Sequence, residues 1–302
     1  MGILRFFVTL RLLEIYYLFI WVWLAVVSDF CSIFVGKNFV MKSFILAIII
    51  SLAAVSCGSQ PKSVALAQHV TQPTQYTFRV KAEYPHLRTS YTQGLQFIDG
   101  ELWEGTGEWG ESVLQKIDLE SGKAEVLARL PQTEFGEGIT VLGDKVFQLT
   151  WTNNTAHIYD RSGRLLSNAR YAGEGWGLTS DGEKLYMSNG TSTIYRINPA
   201  TFSRESKMTV TLRGAPLEMI NELEWIDGKI WANVYTTDQI VIINPKTGVV
   251  EGVIDLAGLQ KEEDTFADTD VLNGIAYDAA TGRILLTGKR WNKIYEIEIV
   301  KQ

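Results

Sequence analysis

One kind of opening recurs five times along the chain: GLQFIDGELWEGTG at Gly94, GITVLGDKVFQLTW at Gly138, GLTSDGEKLYMSNG at Gly177, ELEWIDGKIWANVY at Glu222 and GIAYDAATGRILLTGK at Gly274. Successive openings lie 44, 39, 45 and 52 residues apart. Each combines an apolar strand start, a tight turn and an alternating second strand. The turns are Asp99-Gly100, Gly143-Asp144, Asp181-Gly182, Asp227-Gly228 and, in a longer loop, Thr281-Gly282. Asp-Gly and Gly-Asp pairs accept the positive φ that two-residue hairpins require. A third alternating stretch follows every pair, starting at Val113, Ala156, Thr193, Gln239 and Lys293. Three or four short strands at a period of roughly 40–50 residues mark a propeller blade.

The repeat therefore predicts an all-β chain folded as a five-bladed β-propeller. A β-sandwich also needs many short strands, but it does not demand the same unit five times. Radial repetition does, because a lone blade cannot bury both faces until neighbours stack on it. From Tyr76 to Val300 there are 225 residues, enough for five blades. The last unit supplies only three strands, so TFRVKAEYPH (Thr77 to His86) is expected to add the fourth and close the ring. The domain is placed at residues 76–302. A closed ring has few edges to pair, which favours a monomer.

The residues before the repeats read differently. Met41-Lys42 starts a basic and then apolar run that ends in Ala54-Val55-Ser56 before Cys57. Residues 41–56 resemble a bacterial lipoprotein signal, with Cys57 lipidated. A plain secretion signal and a retained anchor are the alternatives. Residues 57–75, rich in Gln, Pro, Ser and Thr, read as a flexible tether. Residues 1–40 hold a further apolar run, Ile15 to Val27, which is either a first membrane helix or an extension from a misplaced start. Export to the cell envelope follows, with membrane association through the lipid or the signal segment. Gly58 after Cys57 favours the periplasmic side of the outer membrane.

Charge and cysteine content exclude several functions. A net charge of −6 with no basic stripe argues against nucleic acid. The chain's two cysteines, Cys31 and Cys57, both precede the repeats, so thiol chemistry has no place in the blades. No His or Cys cluster has metal-ligand spacing.

In a propeller, loops from outer strand to next inner strand gather at one mouth of the central channel. That rule selects Gln93, Glu137, Trp176 and Asn221 before the openings. From the ends of second strands and the loops after them it adds Trp103, Trp109, Trp151, Tyr235 and Lys289. One carboxylate, two amides, one ammonium and several large aromatics are the parts of a pocket for a small polar ligand. The plainer reading makes the Trp side chains blade wedges and Glu137 a loop cap.

Ten strings then bring a specific likeness. YTQGLQF, LWEGTGEWGES, FGEGIT, LTW, GWGLTSDG, MSNGTSTIY, NELEW, WANVY, LNGIAYD and TGK, in order from Tyr91 to Lys289, resemble the plant-type and bacterial glutaminyl-peptide cyclotransferases. The resemblance spans the chain from Tyr76 to Val300. It implies a five-bladed propeller that closes an N-terminal glutamine of peptides or proteins into 5-oxoproline and releases ammonia. It implies Glu137 and Lys289 as the catalytic residues. Gln93, Phe135, Trp151, Trp176 and Asn221 would hold the substrate. Tyr235 departs from the pattern, standing where the family commonly has tryptophan. No cofactor is expected for the chemistry, although family members can hold a structural divalent cation in the channel through backbone oxygens.

Two other functions compete on the residues alone. One is a non-catalytic peptide-binding propeller of the envelope. The other is a calcium-dependent hydrolase, which would need several converging acids beyond Glu137, drawn from Glu104, Glu108, Glu222 and Glu224. Glu174 is read as a loop acid.

Overall fold

The computed structural model describes residues 72–302. The expected signal, Cys57 and most of the tether lie outside the described residues. Five four-stranded antiparallel units follow one another. Blade 1 comprises Thr92–Ile98, Glu101–Thr106, Val113–Ile117 and Ala124–Arg129, and blade 2 comprises Gly136–Leu142, Lys145–Thr150, Thr155–Asp160 and Leu165–Arg170. Blade 3 takes Leu178–Ser180, Leu185–Ser188, Thr193–Ile197 and Arg204–Thr209, and blade 4 takes Ile220–Ile226, Lys229–Val234, Gln239–Ile243 and Val250–Asp255. Blade 5 is Leu272–Asp278, Arg283–Gly288, Lys293–Lys301 and the N-terminal strand Thr74–Pro85.

The expected closure is present. Thr74–Pro85 runs antiparallel to Lys293–Lys301, from Tyr76 opposite Lys301 to Pro85 opposite Lys293. It begins at Thr74, inside the segment read as tether. Its first three residues also pair in parallel with Gly252, Val253 and Ile254 of blade 4. The strand thus ties the two ends of the ring together.

The turn chemistry is as the residues require. Asp99 and Gly100 have φ of 54° and 81°, and Asp227 and Gly228 have 48° and 76°, the positive pair of a type I′ hairpin. The longest spacing, before Gly274, is filled by a loop carrying the short 3-10 helix Glu262–Asp264.

Apolar residues lie between blades rather than in one central core. Trp103, Leu114, Ile139 and Val146 fill the wedge between blades 1 and 2. Phe147, Leu149, Leu178 and Met187 do so between blades 2 and 3, and Ile194, Leu223, Ile230 and Val241 between blades 3 and 4. Trp231, Ile254, Leu286 and Tyr295 join blades 4 and 5, and Leu95, Leu102, Ala276 and Leu285 complete the circle. Each fully buried large side chain contributes about 1.5–3 kcal/mol, so stability grows wedge by wedge.

Near the axis the inner strands crowd. A Cβ on Gly138 would lie 2.5 Å from the Trp176 carbonyl oxygen and 2.6 Å from the Leu178 nitrogen, both on the approach to blade 3. Glycine at that opening lets neighbouring inner strands meet backbone to backbone. The fourth opening has Glu222 instead. Its buried carboxylate accepts the N–H of Leu95 in blade 1 at 3.2 Å and of Ile275 in blade 5 at 3.0 Å.

Candidate active site

The first two strands of blades 1, 2, 4 and 5 share one irregularity. Their register shifts between Thr92 and Gly94, Gly136 and Ile139, Ile220 and Leu223, and Leu272 and Ile275. The residues skipped include Gln93, Glu137, Asn221 and Asn273. A bulge re-aims the side chain it carries, and bulges collect beside active sites. In blade 3, Trp176 takes the corresponding place just before the strand that starts at Leu178.

Gln93, Glu137, Trp176 and Asn221 meet at one cavity of about 320 Å³, and Asn273 stands behind Gln93. Gln93, Phe135, Glu137, Trp151, Trp176, Asn221, Tyr235 and Lys289 all line it, so the structure brings together every residue expected to catalyse or to hold the substrate. Trp109 lines it too, half exposed at the rim. Trp103 does not. It sits mid-strand, fully buried in the wedge between blades 1 and 2, because only strand ends reach the mouth.

Aromatic rings form two walls. Phe135 is edge-on to Tyr91, Trp109 and Trp151, with centroids 6.0, 5.7 and 5.9 Å away. Opposing rings of Trp176 and Tyr235 meet edge to face at 5.5 Å. The Lys289 ammonium lies 4.8 Å from the ring centroids of both Tyr91 and Tyr235. Such cation–π contacts hold the charge without consuming its hydrogen bonds.

Glu137 is 5% exposed, and among the described residues nothing donates a hydrogen bond to its carboxylate. Burial pushes its pKa well above the ordinary carboxylate value; the Lys289 charge opposes that shift and the Glu174 charge adds to it. Lys289, 4% exposed, is held below the usual lysine range by burial, with Glu137, Asp270 and Glu108 pulling the other way. Burial thus works against the ionic form of both groups, a pattern common where a site exchanges protons.

The two amides are also poised. Asn273 donates to the Gln93 Oε1 at 3.2 Å and to the Thr92 carbonyl at 2.9 Å, which leaves the amino end of Gln93 for the cavity. Asn221 is buried, and among the described residues nothing donates to its Oδ1. A buried acceptor without a donor is costly unless a ligand supplies one.

Residues beyond the expected catalytic and binding set complete the site. Tyr91 lies two positions before Gln93 on the same wall and donates to Asp270 at 2.7 Å. Glu108 reaches the rim, where Arg290 pairs with it at 3.2 Å. Asn273, the fifth member of the opening series, holds Gln93. Its position before Gly274 was the available signal. Glu174 accepts the indole N–H of both Trp151 and Trp176 at 2.8 Å.

Of the acids a hydrolase would need besides Glu137, only Glu108 lines the cavity, and there Arg290 pairs with it. Glu104 is spent within blade 1 and on His86, while Glu222 and Glu224 hold backbone N–H groups of neighbouring inner strands. Among the described residues no group of three or more His, Cys, Asp or Glu side chains is arranged to hold a metal ion.

Comparison with known proteins bears on the family of the chain. The family model for glutamine cyclotransferase matches residues 48–299. A glutaminyl-peptide cyclotransferase of Arabidopsis thaliana is 41% identical over 227 residues, covering 73% of this chain and 70% of its own length. The crystal structure of Myxococcus xanthus glutaminyl cyclase superposes with a TM-score of 0.70 at 35% identity, over 76% of this chain and all of that one. A PQQ-bound aldose sugar dehydrogenase from Streptomyces coelicolor shares the fold alone, at 11% identity and a TM-score of 0.51 over 76% of this chain and all of its own. By the span of the family match and the identity of these relatives, the chain belongs to the glutamine cyclotransferase family.

Proposed function

We infer that this chain is a glutaminyl-peptide cyclotransferase, acting on peptides or proteins with N-terminal glutamine. The observation that carries the reaction is Glu137, a buried carboxylate without hydrogen-bond donors, facing Lys289 inside an aromatic box. The substrate's α-amine attacks its own γ-carboxamide carbon. A new C–N bond closes the five-membered lactam, and the old C–N bond breaks to release ammonia.

Proton traffic balances on one residue. Glu137 takes a proton from the attacking amine and returns it to the departing NH2 group. A free carboxylate is a weak base, and the raised pKa brings Glu137 closer to the amine it serves. The amide oxygen becomes negative in the tetrahedral intermediate. The Gln93 amino end and the Lys289 ammonium are the donors for it, and the Asn221 oxygen accepts from the substrate's nitrogen. Walls of Phe135, Trp151, Trp176 and Tyr235 fold the glutamine side chain back. Holding the two reacting groups together is worth up to about 7–11 kcal/mol in well-oriented intramolecular reactions.

No cofactor enters any of these steps. The carboxylates of Glu222 and Glu224 face N–H donors, which argues against the calcium of a hydrolase. Activity should therefore survive exhaustive chelation, and zinc-dependent recovery would contradict the scheme. We also propose that the chain is exported and held by lipid on Cys57 as a single copy at the periplasmic face of the outer membrane. Loss of radiolabelled palmitate incorporation in Cys57→Ala is the expected outcome in the producing cell.

The test of function is ammonia release and lactam formation from a Gln-initiated dipeptide. Binding without turnover would replace the enzyme by a peptide-binding module.

A further inference from the structure

We propose that Glu174 is a positioning residue, a single carboxylate oxygen that clamps the two tryptophan walls of the cavity at a fixed angle around the substrate side chain. This rests on the cyclotransferase reading of the same site.

Trp151 follows the second strand of blade 2, and Trp176 precedes the first strand of blade 3. Neither ring is fixed by its own strand. Both indoles nevertheless donate to one atom, Glu174 Oε2, at 2.8 Å each. Charge-assisted bonds of this kind are about twice as strong as neutral ones. Glu174 makes no ion pair among the described residues, so this carboxylate serves the two indoles.

The loop that carries Glu174 is anchored well enough to act as a post. Gly175 donates to the Trp151 carbonyl at 3.2 Å, Trp176 donates to the Ser188 carbonyl at 3.1 Å, and Asn154 donates to the carbonyl of Gly173. The far face of Trp176 rests on Gly190, where a Cβ would stand 2.5 Å from the indole ring. Trp176 is thereby held from three sides: by Glu174 at its nitrogen, by Gly190 behind, and by Tyr235 at its edge. The carboxylate also carries its charge toward Glu137. Facing Glu137 besides are Lys289 of blade 5 and the phenols of Tyr171 and Tyr235.

The positioning role separates from the charge by comparing E174Q with E174A. An amide oxygen still accepts from both indoles, whereas alanine frees them. On a Gln-initiated dipeptide, E174A should raise KM about tenfold with kcat changed less than about threefold, and E174Q should hold KM within about threefold of the parent. Indole emission should shift in E174A and stay near the parent in E174Q. Removing a like charge near Glu137 should move the acid limb of the E174Q rate profile to lower pH. Unchanged KM and emission in E174A, or equal losses in both variants, would overturn the proposal. A parent chain that releases no ammonia would instead overturn the functional reading, and the emission comparison would still decide the clamp.

Discussion

Glu104 and Glu137 are both buried carboxylates on neighbouring blades, and they are opposites. Glu104, wholly buried, receives Thr92 and Gln115 at 2.6 Å, Ser90 at 3.0 Å and the His86 ring at 3.1 Å. His86 in turn donates to the Trp291 carbonyl at 3.0 Å, so the cluster ties blade 1 to blade 5. Burial works against ionisation of Glu104, but the His86 charge and these bonds prevail and its pKa is lowered. At Glu137 burial meets no donor among the described residues, and the pKa rises. A carboxylate supplied with every bond it can accept is a structural post. One left without them is free to exchange a proton with a substrate.

The sharpest way to break the comparison is the same substitution at both places. Glu137→Gln should lower kcat about a thousandfold, because the proton acceptor is gone. Its melting temperature should equal or exceed the parent's, since a buried carboxylate lacking donors lowers stability when ionised. Parent-like turnover in Glu137→Gln would remove it from the mechanism.

Glu104→Gln should do the reverse. Breaking a buried pair costs about 3–5 kcal/mol, measurable in urea unfolding, while turnover per folded molecule stays near the parent's. A stable but inactive Glu104→Gln would place the chemistry in the wrong cluster.

Acidity should separate the two sites further. Glu104 has a lowered folded pKa, so its contribution is present above the ordinary value of 4.5 and lost as pH falls through the lowered one. His86 is the opposite case: burial disfavours its charge, but Glu104 prevails, and its contribution is full below 6.5 and fades as pH rises through the raised value. The stability gap between parent and Glu104→Gln should therefore peak between about pH 4.5 and 6.5. For Glu137 the raised pKa puts the acid limb of kcat/KM above the ordinary carboxylate range, and activity should fall as pH drops through it. A limb at the ordinary value would mean that burial does not tune this group.

Tyr235→Trp is the smallest expected change. A larger ring on the wall shared with Trp176 should raise kcat/KM on Gln-peptides by about two- to fivefold. A clear drop would show that Tyr235, beside Lys289, has its own geometry.

The blades were legible because turn pairs and alternation are local. Gly100 and Gly228 reveal their hairpins through the backbone they must adopt, with no knowledge of partners. The mouth was legible in part for the same reason, since position relative to an opening says which end of a strand a residue occupies. Gln93, Glu137, Trp176 and Asn221 came out of that rule. The same rule points to Trp103, which fills a wedge, because alternation alone does not tell a wedge from a rim. Phe135 needed the family likeness. Glu174 was read as an ordinary loop acid, as its role depends on two indoles brought from different blades.

Five repeats, their hairpins and the leftover strand that completes the ring were determined by the chain's own order of residues, because each involves neighbours or a period along it. The tertiary structure decided which buried acid is satisfied and which is not. Glu104 and Glu137 are the same residue type, each within a strand near a repeat opening. Their difference lies in donors such as His86, which directly follows the strand that closes the ring and is placed only once the ring has closed.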